Sequence, residues 1–254
     1  MLKSSASSHS RTTSCGRSRS PTSFSISWAA PPPWRTDLGR FEAVIFDMDG
    51  VLVDGEPLHF RAVNRLLATD GKSISLERYK PYMGTKTGWS DMLRDYDLPE
   101  PEGYYSARYR DMMVDAYSRE AEALPGARAA VLATREAGLR VAVASSSIAP
   151  WVDACLARIG LSEAFDAIVT GSDVSKGKPD PEIYLLAAER LSIPPRSCLA
   201  IEDAPAGIES ARSAGMGCWA VRTEYTKGLP LPNPDRELGS LLEFDVSEVA
   251  GVAA

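Results

Sequence analysis

The sequence predicts a doubly wound α/β fold, in which helices cover both faces of a parallel sheet. Short apolar runs of strand length alternate with helix-length segments along most of the chain, and three of these helices end at a glycine. The runs are apolar at consecutive positions, as in strands that are buried on both faces. With 254 residues, of which 44% are hydrophobic, the chain can bury one core and a small accessory domain.

The first predicted strand carries the most informative pattern. An apolar run at 44–46 is followed by Asp47 and Asp49, and Gly50 then lets the chain turn. Residues i and i+2 of a strand point the same way, so both carboxylates begin on one face at the carboxyl end, where open parallel sheets bind ligands. Two such carboxylates repel unless a cation neutralises them or one takes a proton. The pattern indicates a metal site, a shared proton or both; the alternative is an Asp-rich turn.

The segment 57–122 is predicted to be a helical insert between the first strand and the rest of the sheet. Apolar residues recur in it at helical spacing, and a proline-containing break interrupts the pattern. The predicted helices are 59–68, 89–93 and 104–117, with the break at 98–101. We therefore expect a core formed by 41–56 and 123–254, and a helical cap formed by 57–122.

The alternation that supports the sheet begins after residue 123. The predicted helices are 127–137, 150–159, 181–191 and 206–214, and the predicted strands are 141–145, 167–170, 198–202 and 217–222. Two of these strands end in polar groups, at Ser145 and at Glu202-Asp203. Because the carboxyl ends of parallel strands meet at one edge, these groups are expected near Asp47.

Four motifs in this order resemble those of the haloacid dehalogenase-like (HAD) phosphohydrolases. They are Asp47-Met48-Asp49-Gly50, the strand that ends at Ser145, Lys178-Pro179, and Glu202-Asp203, and the resemblance covers roughly residues 41–223. The stretch from Asp54 to His59 resembles the β-phosphoglucomutase and sugar-phosphate phosphatase-like members, although Gly55 replaces a serine of their pattern. The resemblance implies a Rossmann-like HAD core with an inserted helical cap.

The roles of the acidic residues follow from carboxylate chemistry and agree with the resemblance. Asp47 is the candidate nucleophile, because a carboxylate oxygen can attack phosphorus and form an aspartyl-phosphate. Asp49 is the candidate general acid, which protonates the leaving oxygen and later activates water. Mg²⁺ is the expected cofactor, with Asp47, the backbone carbonyl of Asp49 and Asp203 as ligands. Glu202 is expected to be an outer ligand or a direct one.

Ser145 and Lys178 are candidate substrate-binding residues. Ser145 would donate a hydrogen bond to the transferring phosphoryl group, and Lys178 would neutralise the charge that Asp47 and the phosphate bring together. The alternatives are a Ser145 that caps the following turn and a solvated Lys178, with Lys176 as a competing choice. For Glu202-Asp203, the alternative is that they only cap the helix that follows them.

His59 and Lys86, both in the segment 57–122, are further candidates for substrate binding. In the related β-phosphoglucomutases, a histidine at the place of His59 lies near the general acid and helps to set its position; the alternative is a solvated residue on the first helix of the insert. Lys86 lies in a loop where a mutase would grip a second phosphate, but the loop lacks the arginine expected there.

These residues favour a Mg²⁺-dependent phosphatase that hydrolyses a small phosphorylated metabolite, a sugar or polyol phosphate, through an aspartyl-phosphate intermediate. The alternative is a β-phosphoglucomutase-like phosphosugar mutase, an intramolecular phosphotransferase with the same core residues. A dehalogenase would not need Asp49. A phosphonatase would carry a Schiff-base lysine in the insert, where Lys72, Lys80 and Lys86 lack a supporting motif.

Residues 1–40 differ in composition from the rest of the chain. This Ser- and Arg-rich stretch holds six of the 28 basic and one of the 34 acidic residues, and we expect a disordered leader: a transit peptide, a tail or a mis-assigned start. The remainder carries 22 basic against 33 acidic residues, a net charge of −11, which argues against nucleic acid or an anionic membrane as partner. We expect a monomeric cytoplasmic enzyme, or a chloroplast or mitochondrial one if the leader is a transit peptide.

Overall fold

Among the described residues, six parallel strands form one sheet in the order β3-β2-β1-β4-β5-β6. This computed structural model describes residues 41–82, 88–224, 226, 228 and 230–251, so the predicted leader at 1–40 and Lys86 lie outside the described residues. The strands are β1 (Ala43–Phe46), β2 (Arg140–Ala144), β3 (Ala167–Val169), β4 (Cys198–Glu202), β5 (Gly217–Val221) and β6 (Arg236–Leu238). Strand order reverses at β1, which is where doubly wound sheets bind their ligands.

The helices occur in two groups along the chain. Those between β1 and β2 are α1 (Glu56–Ala68), α2 (Leu76–Tyr79), α3 (Gly88–Asp95) and α4 (Glu102–Glu120). The second group begins with α5 (Ala127–Glu136), which directly precedes β2. It continues after β2 with α6 (Ala149–Arg158), α7 (Glu182–Leu191), α8 (Pro205–Ser213) and α9 (Val246–Ala250). Every predicted helix and strand is present, with bounds that differ by up to about three residues, as helix and strand ends commonly do. The predicted doubly wound α/β fold is confirmed.

Apolar clusters cover both faces of the sheet, and β1 contributes to each of them. Val44 and Phe46 belong to one cluster, Ala43 and Ile45 belong to the other, and all four have 0% exposure. Burial on both faces explains why the strand is apolar at consecutive positions rather than at alternate ones. Fully burying a side chain such as that of Phe46 contributes about 1.5–3 kcal/mol. In β1, β2 and β4, polar side chains are therefore accommodated only where the strands begin or end.

The helices between β1 and β2 have an apolar cluster of their own. Its buried members are Val63, Leu66, Leu67, Ile74, Tyr79, Met92, Leu93 and Tyr105. The 19-residue helix α4 packs against α1 on one side and along α6 on the other. It thereby carries side chains of the inserted segment to the edge of the sheet. Over the part of the chain that is described, no helix combines the length and the apolar character that crossing a membrane requires.

Candidate active site

The register of the sheet brings three polar residues to one edge. Phe46, the last residue of β1, lies level with the penultimate residues of β2 and β4. Asp47, Ser145 and Asp203 follow these three strands directly, and their exposed fractions are 7%, 1% and 9%. An edge of an apolar sheet therefore carries a buried polar cluster, which is the arrangement expected at a ligand site.

Lys178 reaches the same edge from the loop that precedes α7. Its Nζ lies 2.5 Å from Oδ1 of Asp47 and 2.5 Å from Oε1 of Glu202, and it donates to the carbonyl oxygen of Ala144 at 3.0 Å. Burial alone would lower the pKa of Lys178, but the charges of Asp47 and Glu202 outweigh it and raise the pKa. Lys178 is thus a charged side chain with 8% exposure, whereas Lys176 is 69% exposed.

Three carboxylates lie together beside this lysine. Asp47, Glu202 and Asp203 each place one oxygen within 4.8 Å of the others. Burial raises the pKa of Asp47 to about 8, against the opposing effect of Lys178. Burial, and then the charges of Asp47 and Glu202, raise the pKa of Asp203 well above its usual range. The described residues donate no hydrogen bond to the Asp203 carboxylate. A buried cluster with excess negative charge and free carboxylate oxygens fits a hard divalent cation.

Both carboxylate oxygens of Glu202 accept hydrogen bonds from other groups of the protein. Its Oε1 accepts hydrogen bonds from Lys178 and, at 2.6 Å, from the hydroxyl of Tyr184, while its Oε2 accepts from the backbone N–H of Asp203 at 3.2 Å. Its exposed fraction is 1%. This geometry suits a residue that holds Lys178 in place and lies outside the direct ligands of a cation.

Asp203 does not cap the helix that follows it. The N-cap position of α8 is Ala204, and no side chain accepts a capping hydrogen bond there. The capping alternative is therefore absent from the described geometry.

Gly50, with φ of +89°, brings the turn after β1 so close that a Cβ at this position would overlap the carboxylate of Asp203. A glycine is required here both for the left-handed backbone and for the close approach.

Asp49 lies apart from the three carboxylates and has its own donors. The hydroxyl of Tyr117 donates to Oδ1 at 2.7 Å, and the hydroxyl of Ser147 donates to Oδ2 at 2.9 Å. Oγ of Ser145 in turn accepts the backbone N–H of Ser147 at 3.1 Å, so Ser145 does cap the turn after β2. Both oxygens of Asp49 have a partner, which fixes the orientation of its carboxyl group.

His59 is one hydrogen bond away from Asp49 rather than in contact with it. Its Nε2 lies 3.0 Å from the hydroxyl of Tyr117, and its Nδ1 lies 2.6 Å from the hydroxyl of Tyr109. The ring of Trp151 packs with its edge against the imidazole. Burial lowers the pKa of His59, and the charge of Asp49 opposes this effect. His59 is therefore part of a partly buried hydrogen-bond chain and not a solvated residue of α1.

Three further residues of the site, Tyr117, Ser147 and Tyr184, are not predictable from the sequence. Each supplies a hydroxyl whose direction depends on how α4, the turn after β2 or α7 packs against the sheet, and no motif marks them. The serine run at 145–147 is the one visible signal, and such a run is equally typical of a turn. Tyrosines on apolar helix faces occur throughout protein cores, so Tyr117 and Tyr184 gave no signal of their own.

A cavity of about 410 Å³ adjoins the turn at Gly50. Its walls include Val51, Asp54, Leu124 and Leu241. Neither Asp47 nor any other residue of the polar cluster lines it. The cavity therefore lies beside the reactive groups and is not itself the centre of the chemistry.

Comparison with known proteins identifies the family. The model of the haloacid dehalogenase-like hydrolases matches residues 41–215, which is more than half of the chain. The chain belongs to the haloacid dehalogenase-like hydrolases. The resemblance drawn from the four motifs is confirmed, and so is the prediction of a hydrolytic enzyme.

Three relatives of this family member illustrate the range of similarity. The phosphorylated carbohydrates phosphatase of Thermotoga maritima is 35% identical over 177 residues, which cover 69% of this chain and 82% of the relative. The crystal structure of CbbY from Rhodobacter sphaeroides in complex with phosphate has a TM-score of 0.74 and 31% identity, covering 80% of this chain and 96% of CbbY. Protein SUPPRESSOR OF QUENCHING 1, chloroplastic, from Arabidopsis thaliana is 36% identical over 220 residues, or 82% of this chain. The chain spans only 21% of that protein's length. The cellular compartment of the present chain therefore stays a prediction.

Proposed function

We propose that this hydrolase is a Mg²⁺-dependent phosphatase that releases inorganic phosphate from a small phosphorylated metabolite, a sugar or polyol phosphate. The observation that carries the proposal is the buried ion pair between Lys178 and Asp47 at the carboxyl end of β1. A phosphoryl group would bring further negative charge to Asp47, and Lys178 is in position to offset it. The names of the Thermotoga relative and of the phosphate-bound CbbY structure support this substrate class.

Two half-reactions account for the hydrolysis. In the first, an oxygen of Asp47 attacks phosphorus and the bond from phosphorus to the leaving oxygen breaks; the leaving oxygen keeps the electrons of that bond and takes a proton from the Asp49 carboxyl group. In the second, a water oxygen attacks phosphorus and one water proton passes to Asp49. The bond between phosphorus and the Asp47 oxygen breaks, and its electrons return to the Asp47 carboxylate. Substrate and water become alcohol and inorganic phosphate, and both aspartates are restored.

Lys178 and Ser145 would stabilise the transferring phosphoryl group. Lys178 is held by Glu202 as well as by Asp47, so its charge is already oriented before substrate arrives. The hydroxyl of Ser145 accepts one hydrogen bond from the backbone but keeps its own proton, which it can donate to a phosphoryl oxygen. A preorganised donor of this kind typically contributes about 10²–10³ in rate.

Mg²⁺ suits the donor set. We propose the carboxylates of Asp47 and Asp203 and the backbone carbonyl of Asp49 as its ligands, with Glu202 outside them. When bound, the ion would offset the combined charge of the carboxylates and the substrate phosphate.

The helical segment would act as a cap. We propose that 57–122 closes over a core of 41–56 and 123–254 and excludes water from the reacting groups. Its own apolar cluster supports this division, and the packing of α4 along α6 places the segment against the core. Lys86, outside the described residues, is our proposed contact to the substrate from the cap side.

The test uses the full chain with Mg²⁺ and a panel of sugar and polyol monophosphates. Phosphate release and sugar-phosphate isomers are measured in the same reactions, with and without a trace of glucose 1,6-bisphosphate. We expect steady Mg²⁺-dependent phosphate release, its loss in Asp47→Asn, and no loss in the matched surface variant Asp153→Asn. Bisphosphate-dependent isomerisation with little phosphate released would contradict the proposal and indicate a mutase.

A further inference from the structure

We propose that Tyr117 is a positioning residue for Asp49: its hydroxyl anchors one carboxyl oxygen so that the other is directed at the leaving group. The inference rests on the proposed phosphatase reaction and adds to it a residue from α4. No sequence motif includes Tyr117, which lies 68 residues from Asp49 along the chain.

The direction of the hydrogen bonds follows from counting protons. The Tyr117 hydroxyl has one proton, which it donates to Oδ1 of Asp49 at 2.7 Å. It must therefore accept a proton from Nε2 of His59, 3.0 Å away. Nδ1 of the neutral imidazole then accepts from the hydroxyl of Tyr109 at 2.6 Å. The chain Tyr109–His59–Tyr117–Asp49 has a single consistent direction that ends on the carboxyl group.

The two oxygens of Asp49 are not equivalent in this arrangement. Oδ1 is bound by Tyr117, which is 0% exposed; because Nε2 of His59 donates to the Tyr117 oxygen, Oδ1 is the acceptor that the Tyr117 proton has. Oδ2 is bound by the hydroxyl of Ser147, which is partly exposed and able to rotate, donating to a carboxylate or accepting from a carboxylic acid. Oδ1 is thus the anchored oxygen, and Oδ2 is the oxygen that can exchange a proton with a substrate.

Gly55 fits this anchoring contact. A Cβ at Gly55 would overlap Oδ1 of Asp49 and would lie 2.8 Å from the hydroxyl of Tyr117. The residue has ordinary helical backbone angles at the start of α1, so its missing side chain matters for space and not for conformation. Gly55 and Tyr117 therefore form a matched pair: the first leaves the room in which the second reaches Asp49.

Substrates with different leaving groups separate a positioning role from a merely structural one. A sugar alkoxide needs a proton as it leaves, whereas a nitrophenolate leaves without one. The value of kcat/KM reports the steps up to departure of the leaving group, so it isolates the step in which Asp49 is the acid. General damage to the site would lower kcat/KM for both substrates alike.

The experiment compares Tyr117→Phe with wild type on the preferred sugar phosphate and on p-nitrophenyl phosphate. We expect kcat/KM for the sugar phosphate to fall about 10- to 100-fold, the effect of losing one hydrogen bond to a charged group, and less than about threefold for p-nitrophenyl phosphate. The matched control is Tyr105→Phe, a buried tyrosine of the same helix whose hydroxyl donates to Asp70 at 2.9 Å. It should leave both values unchanged.

A double-mutant cycle checks that Tyr117 acts through Asp49. Adding Tyr117→Phe to Asp49→Asn should lower kcat/KM for the sugar phosphate no further than Asp49→Asn does alone. If Tyr117→Phe fails to fold in a thermal melt, Gly55→Ser serves in its place, with Gly103→Ala as its control, since no heavy atom lies within 4 Å of a Cβ at Gly103.

Equal losses on both substrates, or additive losses in the cycle, would overturn the positioning role of Tyr117 while leaving the phosphatase intact. Failure of the phosphatase proposal would look different, because wild type itself would then release no phosphate.

Discussion

Replacing Lys178 by methionine tests the buried ion network at the heart of the site. Lys178→Met removes the cation but keeps a long side chain, and it leaves without their partner the carboxylates of Asp47 and Glu202, whose side chains are 9% and 1% exposed. Removing one partner of a buried ion pair costs about 3–5 kcal/mol in the free energy of unfolding. Two carboxylates lose their partner here, but burial raises the pKa of Asp47 and Lys178 opposes that effect, so without Lys178 the Asp47 carboxylate takes up a proton more readily, which relieves part of the cost. We therefore expect Lys178→Met to lower the free energy of unfolding by about 3–5 kcal/mol and not by twice that value.

The assay is urea unfolding of the full chain at pH 7 in EDTA, followed by circular dichroism, with a thermal melt beside it. A loss of this size corresponds to a decrease in Tm of about 6–20 °C for a domain of this length. Phosphate release should fall at least about 100-fold. The control is Lys176→Met in the same loop, where an exposed pair with Asp180 at 3.4 Å predicts about 0–1 kcal/mol. A loss below 1 kcal/mol for Lys178→Met, or equal losses for both variants, would refute the reasoning.

Two further predictions concern pH and metal. Burial, and then the charges of Asp49 and Asp54, raise the pKa of Glu56 from 4.5 to about 7. The folded state therefore favours protonated Glu56, and the stability this gives is present below pH 4.5 and lost as the pH rises through 7. Relative to Glu56→Gln, wild type should lose about 1–2 kcal/mol between pH 5 and pH 8 in urea titrations, and parallel curves would contradict the assignment. Asp203→Asn should raise the Mg²⁺ concentration for half-maximal phosphate release about tenfold or more, and an unchanged Mg²⁺ titration would exclude Asp203 as a ligand.

The sequence predicted most of the fold because the sheet is buried on both faces. A run such as Ala43–Phe46 can hardly be anything but a buried strand, and the glycines after α5, α6 and α8 mark where those helices end. The sequence does not predict β6 (Arg236–Leu238) or α2. Two of the three residues of β6 are charged, so it lacks the apolar run that marks β3, and α2 has four residues, too few to show a helical period.

The residues of the site likewise include some that the sequence predicts and some that it does not. Asp47, Ser145 and Asp203 were predictable because each directly follows a strand, and strand ends in a parallel sheet meet at one edge. Lys178 was predictable from its place before Pro179 in the family pattern. The partners of Asp49 were not predictable, since the hydroxyl of Tyr117 reaches it only through the rotation and packing of α4 against α1 and α6. Side chains that are brought in by tertiary packing leave no local trace in a sequence.

The proposed reaction depends most on Asp47 acting as the nucleophile, and trapping the covalent intermediate tests this directly. The full chain is mixed with Mg²⁺ and the preferred sugar phosphate, quenched in acid during turnover, digested, and its peptides are analysed by mass spectrometry. We predict a phosphoryl group on the peptide that contains Asp47, and none in Asp47→Asn treated in the same way. Rapid turnover with no phosphorylated peptide at any quench time, or a phosphoryl group on another residue, would contradict the account.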